Sequence, residues 1–113
     1  MSKLRQNCFE NTFQIIVDGS SQSAKKVRPG NSLGDIGYAI QKYAESYGYS
    51  VVKDFCGHGI GKVFHSAPNI LHYGQLGKGM KLKEGMFFTI EPMINIGKAD
   101  IKILDDGWTA VTR

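Results

Sequence analysis

Two histidines and one glutamate in this chain are of the types that bind catalytic metals. His58 and His65 lie in the glycine-rich segment GHGIGKVFH at 57–65, and its glycines make a stable helix unfavourable. Glu91 ends the apolar run at 87–90. Because imidazole and carboxylate groups hold catalytic divalent cations, His58 and Glu91 are predicted to be two ligands of one metal site.

Each of these residues also has a structural interpretation. His58 could be an incidental histidine in a turn, and Glu91 could form an ion pair with a nearby Lys or Arg. His65 follows His58 by seven residues, which in a straight strand places the two rings on opposite faces, whereas a bend at the glycines brings both toward one pocket. There His65 could hydrogen-bond a substrate carbonyl or only support the site. His72 is interpreted as a structural strand residue.

Aromatic residues flank these segments. Phe64 and Trp108 could wall an apolar side-chain pocket, although aromatic residues in β segments are as often plain core. Cys56 precedes the histidine segment and is interpreted as a small buried residue rather than a nucleophile. The glycines at 57, 59 and 61 do not form a phosphate-binding loop, since no Gly-Lys-Ser/Thr follows.

Composition indicates one small globular domain. The 113 residues carry a net charge of +4, with basic residues dispersed among acidic ones, so neither a nucleic-acid nor a membrane partner is expected. The cysteines at 8 and 56 do not suggest a disulfide framework. A polar N-terminus without a secretory signal and the absence of a long apolar run predict a cytoplasmic protein.

The elements that position the site are predicted to be helical first. A helix over 3–16 presents Phe9, Phe13 and Ile16 on one face, and Asp18-Gly19-Ser20-Ser21 predicts a turn that opens a loop over 18–32, which could include a short helical extension over 22–27. Ser32 with Asp35 predicts a capping box at the start of a second helix that ends at Gly48. Its apolar stripe consists of Leu33, Ile36, Ile40, Tyr43 and Tyr47.

The rest of the chain is predicted to be β-rich. Strands are expected at 49–55, near 62–65 and 70–73, and at 85–91, 100–104 and 108–112, with a hairpin turn at Asp105-Asp106-Gly107. Alternation over 85–91 places Met86, Phe88 and Ile90 on one face and Phe87, Thr89 and Glu91 on the other. The result is an α+β fold with two N-terminal helices packed on an antiparallel sheet. A strand directly before Arg113 suggests a natural domain that continued further.

These residues resemble the type I methionine aminopeptidases, which are pita-bread-fold metallopeptidases. The resemblance lies in VRPGNSLGDIGYAIQKYAESYGYSVV (27–52), CGHGIGKVFHSAPNILHY (56–73), MKLKEGMFFTIEPMIN (80–95) and DDGWTAVTR (105–113). It implies one partial metallopeptidase domain over 1–113, in which 1–26 match weakly and 27–113 resemble the C-terminal catalytic half. The HSAPN stretch at 65–69 is similar to the methionine-removing branch rather than the proline-specific one.

The resemblance implies a role for each residue. His58 is similar to the family's imidazole metal ligand and Glu91 to one of its carboxylate ligands. His65 is similar to the histidine that contacts the scissile peptide, and Phe64 and Trp108 to the wall that receives the methionine side chain. In the family, two divalent ions (cobalt, manganese, iron or zinc) share a bridging water that attacks the first peptide bond of a new protein.

Two of the family's five metal ligands have counterparts here. The family's two aspartate ligands lie upstream of the matched region, and its last glutamate ligand lies beyond the tryptophan segment. The chain is therefore expected to be truncated at both ends, to hold at most one ion weakly and to have little activity alone. The alternatives are a peptide-binding remnant, a half enzyme that needs a complementing N-terminal half, self-association through uncovered strands, or a degraded product without a role.

Overall fold

The computed structural model describes the backbone of residues 3–113 and the side chains of residues 14–113. Two helices precede six short strands, which confirms the α+β class. The elements are α1 (Lys3–Ala24), α2 (Leu33–Ser46), β1 (Tyr49–Val51), β2 (Gly57–Gly59), β3 (Ser66–Ile70), β4 (Ile94–Ile96), β5 (Ile101–Ile103) and β6 (Ala110–Thr112). None of the helices in the described part is long and apolar enough to cross a membrane.

Helix α1 is longer than the sequence predicts. The turn expected at 18–21 and the loop expected from 18 are wrong, because the helix continues to Ala24. Ile15, Gly19 and Ser23 recur every fourth residue and are all buried. A Cβ atom added to Gly19 would meet the Tyr43 ring at 3.6 Å, so the absent side chain lets α1 approach α2 closely. This packing stabilises helical backbone in a segment that locally favours a turn.

The buried face of α1 differs by one residue from the face that the sequence predicts. Ile15 is only 7% exposed and belongs to the core, whereas the predicted Ile16 is half-buried. The other two predicted face residues, Phe9 and Phe13, lie outside the described side chains. The β-branched pair at 15 and 16 leaves the sequence pattern ambiguous about which isoleucine faces inward.

Helix α2 confirms its predicted boundaries. Ser32 is the N-cap and Asp35 the N3 residue of a capping box, and Gly48 follows the C-cap with φ of +79°, as a helix-ending glycine requires. Ile36 and Ile40 are fully buried. Tyr47 is the exception in the predicted stripe, because 60% of its surface is exposed.

Asp35 makes stability depend on pH. Its carboxylate accepts hydrogen bonds from Ser32 N (2.8 Å) and Gly77 N (2.8 Å), and the Ser32 bond is the main cause that lowers the pKa of Asp35 from 3.8. A lowered pKa stabilises the fold above the unfolded value and loses that contribution as pH falls through the folded value. We expect Asp35→Ala to lose about 1–2 kcal/mol at pH 7 in urea unfolding. The difference from the parent should shrink below pH 3.8, and a constant difference would contradict this account.

The strands form three separate two-stranded antiparallel ladders. In order, β1 pairs with β4, β2 with β3, and β5 with β6. The hairpin predicted around 105–107 joins the last pair, since Asp106 Oδ1 accepts from Trp108 N and Thr109 N at 3.0 and 2.8 Å. The predicted strand over 49–55 ends at Val51, the one near 62–65 is a series of bends, and the one at 70–73 begins earlier and ends at Ile70.

The segment 85–91 is extended but is not a regular strand, which corrects the sequence prediction. Its one bridge joins Phe88 to Gly59. The alternation predicted for this segment is nevertheless right. Met86, Phe88 and Ile90 pack against the core formed by α1, α2 and β1, while Phe87 is 75% exposed. An apolar alternation sets which side chains face inward, whereas a ladder also needs a neighbouring backbone in register.

Candidate metal centre

Strand β2 places His58 between Gly57 and Gly59, and the backbone of each glycine lies against the backbone of another segment of the same chain. A Cβ atom on Gly57 would lie 2.2 Å from the Thr89 carbonyl oxygen, and one on Gly59 would lie 2.2 Å from the Ala67 carbonyl oxygen. Both contacts are far shorter than van der Waals separation, so only glycine fits. The glycines therefore bring β3 and the 87–91 segment against both sides of His58.

The imidazole of His58 meets the carboxylate of Glu91. His58 Nε2 lies 3.3 Å from Glu91 Oε1, with the two side chains 12% and 51% exposed. His58 Nδ1 lies 2.9 Å from the Gly59 carbonyl oxygen, which can accept only from a protonated nitrogen. In the neutral ring this contact places the proton on Nδ1, and the Nε2 lone pair then faces the Glu91 carboxylate. The two atoms can share a cation, either a metal ion or a proton on Nε2 that hydrogen-bonds to Glu91.

Glu91 is positioned by two residues whose part in the site the sequence reasoning missed. Thr89 Oγ1 donates to Glu91 Oε1 (2.7 Å) and accepts from His58 N (3.0 Å), so one hydroxyl joins both predicted ligands. His72 Nε2 accepts from Glu91 N at 3.1 Å. The alternation of 85–91 already placed Thr89 on the face of Glu91, which was the available signal. His72 carried no such signal.

His72 differs from its predicted setting. It lies beyond the end of β3 in a bend rather than in a strand, and it is 1% exposed. Burial lowers the pKa of His72, against the smaller opposing influence of the Glu91 charge. The neutral ring is the form that can accept a hydrogen bond from the Glu91 backbone, so burial and hydrogen bonding agree.

His65 and Phe64 lie beside His58, on bends rather than on a strand. The ring centroids of His65 and His58 are 4.2 Å apart, and those of Phe64 and His58 are 5.6 Å apart. The seven-residue spacing therefore does not separate the two histidines, because the chain bends over 61–65. His65 is exposed and Phe64 is 68% exposed, so both are accessible to a ligand at His58.

Trp108 does not lie beside His58, His65 and Phe64, and it lines a separate groove. It is 89% exposed, and it lines an open groove of about 670 Å³ together with Phe55, Met93 and Ile103, among others. Phe64 does not line this groove. The structure thus brings His58, His65, Glu91 and Phe64 together, and it does not place Phe64 and Trp108 in one common pocket.

Glu91 is half exposed, although it ends an apolar segment. The alternative interpretation, an ion pair with Lys or Arg, is not found among the side chains of residues 14–113. The contacts of Glu91 are with a histidine and a threonine instead, and that arrangement leaves its second oxygen free to bind.

The His58–Glu91 pair fits one divalent cation. Metal–ligand bonds of about 2.0–2.2 Å at roughly 90–110° place two donor atoms about 2.8–3.6 Å apart, and the observed separation is 3.3 Å. A histidine ligand commonly donates its other ring N–H to a backbone carbonyl, as His58 does. Among the side chains that the structure describes, no group of three or more His, Cys, Asp or Glu residues is arranged to hold a metal. Two ions therefore do not fit the described donors.

Comparison with known proteins agrees with these features. The sequence profile of metallopeptidase family M24 matches residues 6–111. The chain belongs to metallopeptidase family M24. The matched range includes His58, His65 and Glu91, and it confirms the resemblance found in the sequence.

Several of the similar proteins are methionine aminopeptidases. The enzyme of Rickettsia prowazekii is 58% identical over 102 residues, which are 89% of this chain and 39% of that protein. Methionine aminopeptidase A of Synechocystis is 62% identical over 87 residues, which are 77% of this chain and 34% of that protein. The crystal structure of the Rickettsia enzyme superposes with a TM-score of 0.90 at 56% identity, over 92% of this chain and 42% of that chain. The chain thus spans about two fifths of the length of this M24 relative.

Proposed function

We propose that this chain carries the His58–Glu91 side of a methionine aminopeptidase active centre. The reaction is the hydrolytic removal of methionine from the N-terminus of a new protein, with residues 27–113 as the catalytic segment. The observation that carries the proposal is the 3.3 Å contact between His58 Nε2 and Glu91 Oε1, which brings an imidazole nitrogen and a carboxylate oxygen together on an accessible surface. The similarity to methionine aminopeptidases supports the choice of substrate.

Each residue then has a distinct task. His58 Nε2 and Glu91 Oε1 would hold the cation (cobalt, manganese, iron or zinc), which supplies Lewis acidity when bound. Thr89 donates a hydrogen bond to the Glu91 carboxylate, and His72 accepts one from the Glu91 backbone N–H. Together these two contacts fix the position of the carboxylate. His65 lies against the His58 ring, where it can hydrogen-bond the carbonyl of the first peptide bond.

The apolar surfaces suit the first side chain of the substrate. Phe64 offers an exposed ring beside the histidine pair, and the Trp108 groove offers a separate apolar surface. We assign methionine contact to Phe64 at the proposed cation site. The Trp108 groove is the surface that a non-catalytic peptide-binding remnant would use, because its wall combines Phe55, Met93 and Ile103. The cytoplasmic location stays a prediction.

The donor count predicts low activity for the 1–113 polypeptide by itself. One imidazole and one carboxylate bind a cation loosely, and they do not fix two. We expect native mass spectrometry to show one weakly held divalent ion per chain and a Met-Ala-Ser peptide assay to show little hydrolysis. Absence of any metal binding would contradict the proposed site, whereas rapid hydrolysis by the chain alone would contradict only the expectation of low activity.

A half enzyme that needs a complementing polypeptide is the second candidate. Large apolar side chains stand exposed on the β elements and on the extended 85–91 segment, including Phe87 (75%), Ile96 (59%) and Trp108 (89%). Such side chains are usually covered in a larger assembly. Adding a polypeptide that carries the remaining part of a relative's fold should restore hydrolysis in the same assay. Unchanged activity in the mixture, with no complex formed, would exclude this candidate.

A further inference from the structure

We propose that a recess lined by three tyrosines and Asp18 binds a small methylated ammonium cation. The tyrosine recess is a cavity of about 450 Å³, and it lies away from the proposed metal centre. It is lined by Gln14, Ile15, Asp18, Tyr43, Tyr47 and Tyr49. Helix α1 supplies the first three residues, the end of α2 supplies two tyrosines, and Tyr49 begins β1. The proposal goes beyond the proposed peptidase function and does not depend on it.

The Tyr43 and Tyr47 rings pack against each other, so a ligand in the recess meets their outer surfaces rather than a gap between them. The ring centroids of Tyr43 and Tyr47, one helical turn apart, are separated by 5.1 Å, and their planes are tilted by 47°. Tyr47 is 60% exposed, so its ring remains open to a ligand. The faces of aromatic rings attract cations, and methylated ammonium groups are recognised in this way because they are weakly hydrated.

The carboxylate of Asp18 gives the recess its charge. It accepts hydrogen bonds from Gln14 Nε2 (2.8 Å) and Tyr43 OH (3.1 Å), which are both neutral donors. Within the described side chains, no Lys or Arg lies within 4.0 Å of it. Loss of water contact, followed by hydrogen bonds with Tyr47 and Asp18, raises the pKa of Tyr43 to about 12. Tyr43 therefore stays a neutral donor, and the negative charge beside the rings is oriented but not neutralised.

The donor set selects the class of ligand. A divalent metal needs several carboxylate or imidazole donors, and the described residues that line the recess supply one carboxylate and no imidazole. Among the described residues that line the recess, Asp18 is the only Asp, Glu, Lys, Arg or His, and its carboxylate lies beside aromatic rings. That combination matches a soft monovalent cation with methyl groups, either as a free small molecule or as a methylated lysine side chain.

The test compares a cation with its neutral analogue of the same shape. Choline and 3,3-dimethyl-1-butanol differ in one nitrogen, and each is titrated into the 1–113 chain while amide and tyrosine ring signals are followed by NMR. We expect choline to shift the signals of Tyr43, Tyr47 and Tyr49 in a saturable manner, with at least about fivefold weaker binding of the neutral analogue. Equal binding of the two, or linear shifts over the whole chain, would overturn the proposal.

Three variants separate the contribution of the aromatic ring from that of the charge. Tyr47→Ala should weaken choline binding at least about fivefold, whereas Tyr47→Phe should leave it unchanged, because the aromatic face is retained. Asp18→Asn keeps the shape and should weaken binding at least about threefold. Unaltered binding by Tyr47→Ala would exclude the recess as the site. An acetylated trimethyl-lysine amide that binds more tightly than choline would identify a protein side chain as the source, and equal affinity would favour a free small molecule.

Discussion

We expect Glu91→Gln to weaken the binding of Zn²⁺ or Mn²⁺ to the 1–113 chain by more than about 100-fold, which exceeds the roughly 10–100-fold cost of altering groups that only orient a ligand. The substitution keeps the size of the side chain but removes the charge that faces His58 Nε2 at 3.3 Å. Isothermal titration calorimetry measures the affinity, and NMR of the His58 ring nitrogens reports whether Nε2 binds the ion. Glu84→Gln, at an exposed turn residue, is the matched control and should bind like the parent.

The same titration can test Thr89, whose hydroxyl donates to the Glu91 carboxylate. Thr89→Val removes the hydroxyl that joins Glu91 Oε1 to His58 N, and affinity should fall about tenfold. Thr89→Ser restores the hydroxyl and should recover most of the loss. Parent-like affinity in Thr89→Val would show that the hydroxyl does not position Glu91. Parent-like affinity in Glu91→Gln would exclude the pair as a metal centre.

Gly59→Ala should destabilise the fold by about 2–3 kcal/mol, as overpacking against rigid surroundings does. The added Cβ would lie 2.2 Å from the Ala67 carbonyl oxygen and 3.0 Å from that of Ser66, so the backbones of β2 and β3 must separate. His58 lies in the same short strand and should move with it. Urea unfolding followed by far-ultraviolet circular dichroism measures the change in midpoint.

Gly61→Ala is the matched control for that prediction. A Cβ atom at Gly61 would have no neighbour within 4 Å, and its effect should stay within about 0.5 kcal/mol. Complete unfolding of Gly59→Ala agrees with the expectation. Equal unfolding midpoints for the two variants would show that the close approach of β2 and β3 does not require glycine.

Sequence reasoning succeeded where the signals are local. The capping box at Ser32 and Asp35, the helix-ending Gly48 and the hairpin turn before Trp108 each depend on a few adjacent residues, and all three occur as predicted. The turn expected at 18–21 was wrong for the converse reason. Burial of Gly19 and Ser23 against α2 is a tertiary contact that outweighs local preference, and no local pattern reveals it.

The candidate site also divides into features that the sequence predicts and contacts between distant residues that it does not. The residue types and the family resemblance selected His58 and Glu91, and the structure places them 3.3 Å apart. The part of His72 escaped notice because its contact with Glu91 joins positions 19 residues apart, and the second contact of Thr89, with His58, joins positions 31 residues apart. Phe64 and Trp108 were expected to wall one pocket, and the distance between them in space could not be read from an aromatic pattern.

The separate β5–β6 ladder determines what a common spectroscopic probe reports. The chain has one tryptophan, and it lies in this hairpin, which pairs with no other strand. Small units with few outside contacts open independently of the rest of a protein. The indole of Trp108 is already exposed to solvent, so its fluorescence emission would report fraying of the hairpin. It would not report unfolding of the helical core.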